Sequence, residues 1–200
     1  CQNYEFEGIY YDMTFWPDIC HCHSCKERYQ DEGGSQIPEV NWEDPLWLEF
    51  EKKRENWLVE FAEFATKTAK KYKPEVTVAH NSATLSQSWI RGTSLDLIYQ
   101  NDYIAGDLYG GFFEESFICK FYDSITETKP FEYQTSRCDP DLSVHTTLKS
   151  RESLKLHNYL ALAHNGSFFF IDAIEPDGSL CPEVYEIMGD IFEESKKYEK

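Results

Sequence analysis

The chain has no run near the roughly 20 consecutive apolar residues that a membrane-spanning helix needs, and no recognisable signal peptide. Basic residues are scarce: 19 Lys and Arg stand against 36 Asp and Glu, giving a formal net charge of -17 and a pI near 4.7. Such a surface repels phosphate backbones and anionic lipid headgroups, so the expectation is no nucleic acid partner and no membrane partner. The chain also lacks a glycine-rich phosphate loop, a nucleophile elbow and a dinucleotide fingerprint, which removes kinase, lipase and dehydrogenase readings. Internal repeats and linkers are absent. Cysteine is present, but in the odd number of seven, three of them crowded between positions 20 and 25. That is not a disulfide framework, and it favours a reducing, cytoplasmic compartment.

What is present is a series of five short apolar runs, each ending in a polar or charged residue and separated by helical stretches. The runs finish at Asp12 (GIYYDM), His80 and Asn81 (VTVAHN), Asp107 (YIAGDLY), Glu132 (PFEYQTSR) and Asp172 (FFFIDAI). The alternation predicts a parallel α/β sheet, in which polar groups at the strand ends gather on one face. Strands are expected at Gly8–Asp12, Val76–Ala79, Phe131–Thr135 and Phe168–Ile171. One more is expected at either Leu97–Tyr99 or Tyr103–Asp107. Asp44-Pro45 marks the start of a long helix that Pro74 stops, with a buried stripe of Trp57, Phe61, Phe64, Thr68 and Tyr72. Further helices are expected over residues 24–31, 113–124, 148–163 and 182–197. A single domain of 200 residues is short for an eight-fold barrel, which takes about 250. With Cys1 in place of Met and a strand almost at once, the expectation is a piece of a longer protein, the C-terminal part of a (β/α)8 barrel.

Cys20, Cys22 and Cys25 place three thiols within six residues. Thiolates bind Zn²⁺ tetrahedrally, and a structural site takes four ligands, so His21, His23, a distant cysteine or a residue upstream of Cys1 would complete it. The expected role is to clamp a loop beside the active face, and no cofactor is expected for catalysis.

The aromatic content of 16% is high and leans towards a carbohydrate ligand, because sugars stack on flat rings. Asp12 ends a strand and is followed by Met13-Thr14-Phe15-Trp16-Pro17, a setting for a glycosidase nucleophile. Glu132 shares a strand face with Gln134 and has Arg137 nearby, so it is a candidate general acid or an ion-pair partner. Asp107 is a candidate second carboxylate or sugar ligand. Trp16, His80, Asn81, Tyr109, Arg137 and Asp172 complete the candidate substrate-binding set, and His145 lies outside it.

GIYYDMTFWP followed by CHCHSCKERY resembles the barrel segment of a group of bacterial hypothetical glycosyl hydrolases. That group is similar to the family 42 β-galactosidases and includes the family 151 α-L-fucosidases. AGDLYGG, KPFEYQTSR and FFFIDAIEPDGSL carry the same likeness. The resemblance implies that the five strands are the fourth to eighth of a barrel. It implies a structural zinc whose fourth ligand comes from farther upstream and a carbohydrate substrate, while the uncovered edges of half a barrel invite homo-oligomerisation. It puts Asp12 where the β-galactosidases keep their acid/base and where barrel α-L-fucosidases keep their nucleophile. Thr135 stands where the β-galactosidases carry a nucleophilic Glu, which favours the retaining, exo-acting α-L-fucosidase type, with this fragment alone inactive.

Overall fold

In the computed structural model, residues 3–126, 130–145 and 147–198 are described. The chain divides into two compact units, Cys1–His80 with Thr84–Asn101, and Asn81–Ala83 with Asp102–Lys200.

In the first unit, β1 (Gly8–Tyr11) pairs in parallel with β2 (Thr77–His80), from Gly8 opposite Thr77 to Tyr11 opposite His80. Between them lie α1 (His23–Asp31) and α2 (Pro45–Tyr72). Asp44 caps α2 by accepting from the Leu46 amide at 2.9 Å, Pro45 occupies its first turn, and Lys70 and Lys71 complement the negative end of its dipole. Both ends therefore fall where the sequence places them.

The face that α2 buries is different from the expected one. Phe61, Phe64 and Tyr72 are exposed, and so is Thr68. Trp57 is buried as expected, together with Trp47, Phe50, Leu58, Ala62, Ala65, Ala69 and the ion-paired Glu51 and Arg54. The alanines allow close approach, with Ala69 packing against Val76 and Val78, whereas a stripe chosen by aromatic bulk points the other way. Trp47, Phe50 and Trp57 join Tyr29 and Ile37 in an aromatic core. Leu95–Gln100 is a 3-10 turn, not a strand.

The second unit is a three-stranded parallel sheet with its helices between strands. In chain order its elements are β3 (Ala105–Asp107), α3 (Phe112–Ile125), β4 (Glu132–Ser136), α4 (Arg151–Ala163), β5 (Ser167–Ile171) and α5 (Pro182–Ser195). The strand order is β3-β4-β5, with Ala105 beside Glu132 and Glu132 beside Ser167. Because side chains alternate along a strand, the register sorts them into two faces. Tyr133, Phe168 and Phe170 face the helices, where Leu154, Val184, Met188 and Ile191 form the core. Ala105, Asp107, Glu132, Gln134, Ser136, Phe169 and Ile171 share the other face. Gly106 sits where a Cβ would lie 2.6 Å from the Tyr122 hydroxyl and 2.7 Å from the Ala83 backbone nitrogen, so this strand position has room only for glycine.

The described strands form two small parallel sheets of an α/β protein, with no closed barrel shown. Among the described residues, no helix is long and apolar enough to cross a membrane.

Candidate functional site

The helix-free face of the second unit gathers four polar side chains. Asn81 forms a parallel bridge with Ala105, and its side chain spans two partners. Its Nδ2 donates to Asp107 Oδ1 at 2.7 Å, and its Oδ1 accepts from the Ala83 amide at 2.9 Å. Asp107 therefore stands at the end of β3 in a fixed orientation. Gln134 lies opposite it in the register, is buried, and donates through Nε2 to Glu132 Oε1 at 2.7 Å.

One register step and two residues separate Asp107 from Glu132, which sets their Cβ atoms about 8 Å apart from strand spacing alone. Burial holds the Glu132 carboxyl above the usual carboxylate range, with the Gln134 hydrogen bond opposing part of the rise. Nearby Tyr103 is raised too, mainly by burial and further by the Glu132 and Asp102 charges.

Glu132 opens β4 rather than closing it. The run it was read from, Pro130-Phe131-Glu132, is the approach to the strand, and the residues leaving the strand are Ser136 and Arg137. The side-chain alternation still places Glu132 beside Gln134, as the sequence predicts.

Arg137 is buried at the exit of β4. Its Nη1 lies 3.4 Å from Asp172 Oδ1, and its Nη2 donates to Glu175. Asp172 also accepts from the Ala173 amide at 2.8 Å. Arg137 and Asp172 thus meet each other, with Glu175 as the partner that the sequence reading missed. The Glu175-Pro176-Asp177-Gly178 turn signal contained that residue, but nothing local announces that it reaches Arg137. Tyr109 is half-buried beyond β3, and His145 lies in an exposed turn. Thr135 is buried on the helix side, and its hydroxyl donates to the Leu108 carbonyl at 2.9 Å.

In the first unit, Asp12 follows β1, is exposed, and accepts from the Met13 amide at 2.8 Å. Met13 itself has a φ of 56°, a left-handed conformation uncommon for a non-glycine residue. Trp16 donates through Nε1 to the Arg54 carbonyl at 3.1 Å and packs on the aromatic core.

His80 is buried. Thr66 Oγ1 lies 2.9 Å from its Nε2 and gives its own hydrogen to the Gln100 carbonyl at 3.0 Å, which assigns the ring proton to Nε2. Thr14 Oγ1 lies 3.1 Å from Nδ1, and the Tyr11 ring stacks at 4.9 Å. Burial lowers the His80 pKa to about 4. Both ring nitrogens are therefore engaged by threonine hydroxyls within the first unit.

The sulfur atoms of Cys20, Cys22 and Cys25 lie within 4.8 Å of one another. Tetrahedral Zn–S bonds of 2.3 Å separate sulfurs by about 3.8 Å, so a modest contraction would close three thiolates on zinc. Cys22 is the N-cap residue of α1, and its thiol is lowered chiefly by the Cys25 backbone amide, then by the neighbouring thiols. Cys25 is pushed up to about 12 by burial and by the same neighbours. No fourth Cys, His, Asp or Glu among the described residues joins this cluster, and His23 lies 3.0 Å from Glu27 instead. The donor set thus fits a soft, thiolate-preferring ion at three of four positions.

No protein-family model matches this chain, and no curated protein matches it.

Proposed function

We propose that this chain belongs to the catalytic (β/α) barrel of a retaining glycoside hydrolase of the α-L-fucosidase type. The observation that carries the reading is the pairing of Asp107 and Glu132 on the helix-free face of one sheet, oriented by Asn81 and Gln134. Glycoside hydrolysis needs two carboxyl groups of different protonation within about 10 Å. Burial suits Glu132 to hold a proton and give it to the leaving oxygen. The resemblance implies Asp12 as the group that attacks the anomeric carbon and frees the leaving alcohol, giving a glycosyl ester that water then cleaves as a carboxylate takes up its proton. Asp107 holds a sugar hydroxyl or serves as the second carboxylate in place of Glu132. Asn81 orients it, and Trp16 and Tyr109 offer aromatic surface. Zinc on the three cysteines would supply loop stability and no chemistry.

The alternative is a non-catalytic scaffold stabilised by zinc. It calls for four converging metal ligands and scattered acids, whereas three ligands converge and two acids share a face.

The test is hydrolysis of aryl α-L-fucoside and β-D-galactoside by the full-length enzyme that contains these residues. We expect fucoside turnover that falls at least about a thousandfold in Asp12→Asn. Glu132→Gln should lose roughly 10²–10⁴-fold on a poor leaving group and far less on a dinitrophenyl glycoside, which needs no proton. Silence across the panel, or full activity in Asp12→Asn, sinks the reading.

A further inference from the structure

A cavity lies at the end of the three-stranded sheet away from Asp107, Arg137 and Asp172. It encloses about 460 Å³ where β5 begins and α4 and α5 end. Pro130, Asn158, Ser167, Phe168, Phe192 and Tyr198 are among its walls.

Asn158 is 2% exposed, and its Nδ2 is buried with no acceptor among the described residues. A buried amide donor left without a partner is costly, so this wall is built for something that supplies an acceptor. Aromatic surface stands beside it. Phe168 and Phe192 lie 6.2 Å apart between ring centroids, and the Tyr198 ring meets Tyr159 edge-on at 5.8 Å while remaining exposed itself.

The charge of the ligand follows from the rest of the lining. Among the described residues, no charged side chain lines it. The carbonyl end of α4 reaches the cavity at Leu162 and Ala163, and a helix C-terminus repels anions, as does the -17 charge of the chain. The Ser167 hydroxyl is already spent on the Phe131 carbonyl at 3.2 Å. What fits is a neutral molecule that accepts from Asn158, donates to backbone carbonyls and lays an apolar face on a ring. Hydroxyl groups on a pyranose do all three.

We propose that this cavity is a second carbohydrate-binding site, separate from the strand-end acids, that takes an uncharged pyranose. Preferring a sugar to another polyol rests on the glycosidase reading. The cavity would hold a saccharide on the helix side of the sheet while the acids act on its helix-free face, which tethers substrate without adding to the chemistry.

The test is saturation-transfer NMR and calorimetric titration of the full-length protein with methyl α-L-fucopyranoside, methyl β-D-galactopyranoside and myo-inositol. Asn158→Leu keeps the volume and removes the donor, and Tyr198→Ala trims an exposed ring, so neither variant depends on rebuilding the core. We expect one glycoside to bind at two sites, the affinity of one reduced at least tenfold in both variants and that of the other reduced in Asp107→Asn alone. Binding at both sites that survives both variants, binding abolished at both by Asp107→Asn, or equal affinity for myo-inositol overturns the proposal. Binding that meets these expectations in a protein with no hydrolytic activity sustains the site and removes only the catalytic reading.

Discussion

His80 is held neutral by burial, with two threonine hydroxyls at its nitrogens and a tyrosine ring over its face. Its folded pKa of about 4 lies below the ordinary histidine value, so the unfolded chain takes up a proton first as the pH falls. The stability this residue contributes is complete above pH 6.5 and is lost between there and pH 4, by an amount on the order of 3 kcal/mol. Urea unfolding at pH 7.5 and at pH 4.5 reads it: the difference between the two should shrink in His80→Gln relative to wild type. An equal pH dependence in both proteins refutes the clamp. Glu132 has the opposite sign. Its folded carboxyl is raised, so the folded state gains stability as the pH falls through that raised value, and at pH 8 the buried charge is a cost. Glu132→Gln should therefore raise the urea midpoint at pH 8 while removing activity, and that gain should vanish near pH 4. A variant destabilised at pH 8 would show that the carboxylate is well solvated and unsuited to act as an acid.

At the scale of elements, β3 passes so close to Ala83 and Tyr122 that a single added methyl has nowhere to go. Two of the three close contacts are backbone atoms of Ala83 and cannot swing aside, so Gly106→Ala should cost roughly 1–3 kcal/mol and disturb the Asn81–Asp107 bond that the same strand positions. Thermal unfolding measures the first effect, and a loss of affinity for sugar the second. A fully stable variant would mean the strand can shift. The helix boundaries were readable because their signals are local: Asp44-Pro45 caps α2 and Pro182 opens α5, both where the sequence puts them. The buried face of α2 was not readable, since its alanines matter only once Val76 and Val78 lie against them. Glu132 and Gln134 could be paired from strand alternation alone. The contacts from Asn81 to Asp107 and from Arg137 to Glu175 join residues 26 and 38 positions apart, and no local pattern encodes such a distance.

At the scale of the whole molecule, each unit has its own sheet and its own apolar core, so each can respond separately to a perturbation confined to it. The cysteine cluster offers such a perturbation. Cys25 packs against the core of Tyr29, Trp47, Phe50 and Trp57, so a metal held by Cys20, Cys22 and Cys25 would pin the start of α1 to the aromatic centre of the first unit. An ion that binds only the folded state stabilises by RT ln(1 + [ion]/Kd), about 2.7 kcal/mol at a free concentration a hundred times Kd. Loading with zinc should release protons as the thiols ionise, and it should raise the unfolding temperature of the first unit while leaving that of the second in place. Calorimetry of the zinc-loaded protein before and after a chelator, with Trp fluorescence as the reporter, tests this directly. Four of the five tryptophans, Trp16, Trp42, Trp47 and Trp57, lie in the stretch that contains α1 and α2, and the fifth, Trp89, packs edge-on against Trp42 and Trp47 in the same unit. The chelator should move the fluorescence transition and should have no effect on Cys22→Ser. Movement of both calorimetric transitions together would show instead that the units unfold as one cooperative body, and no movement at all would leave the three thiols as packing groups of the loop.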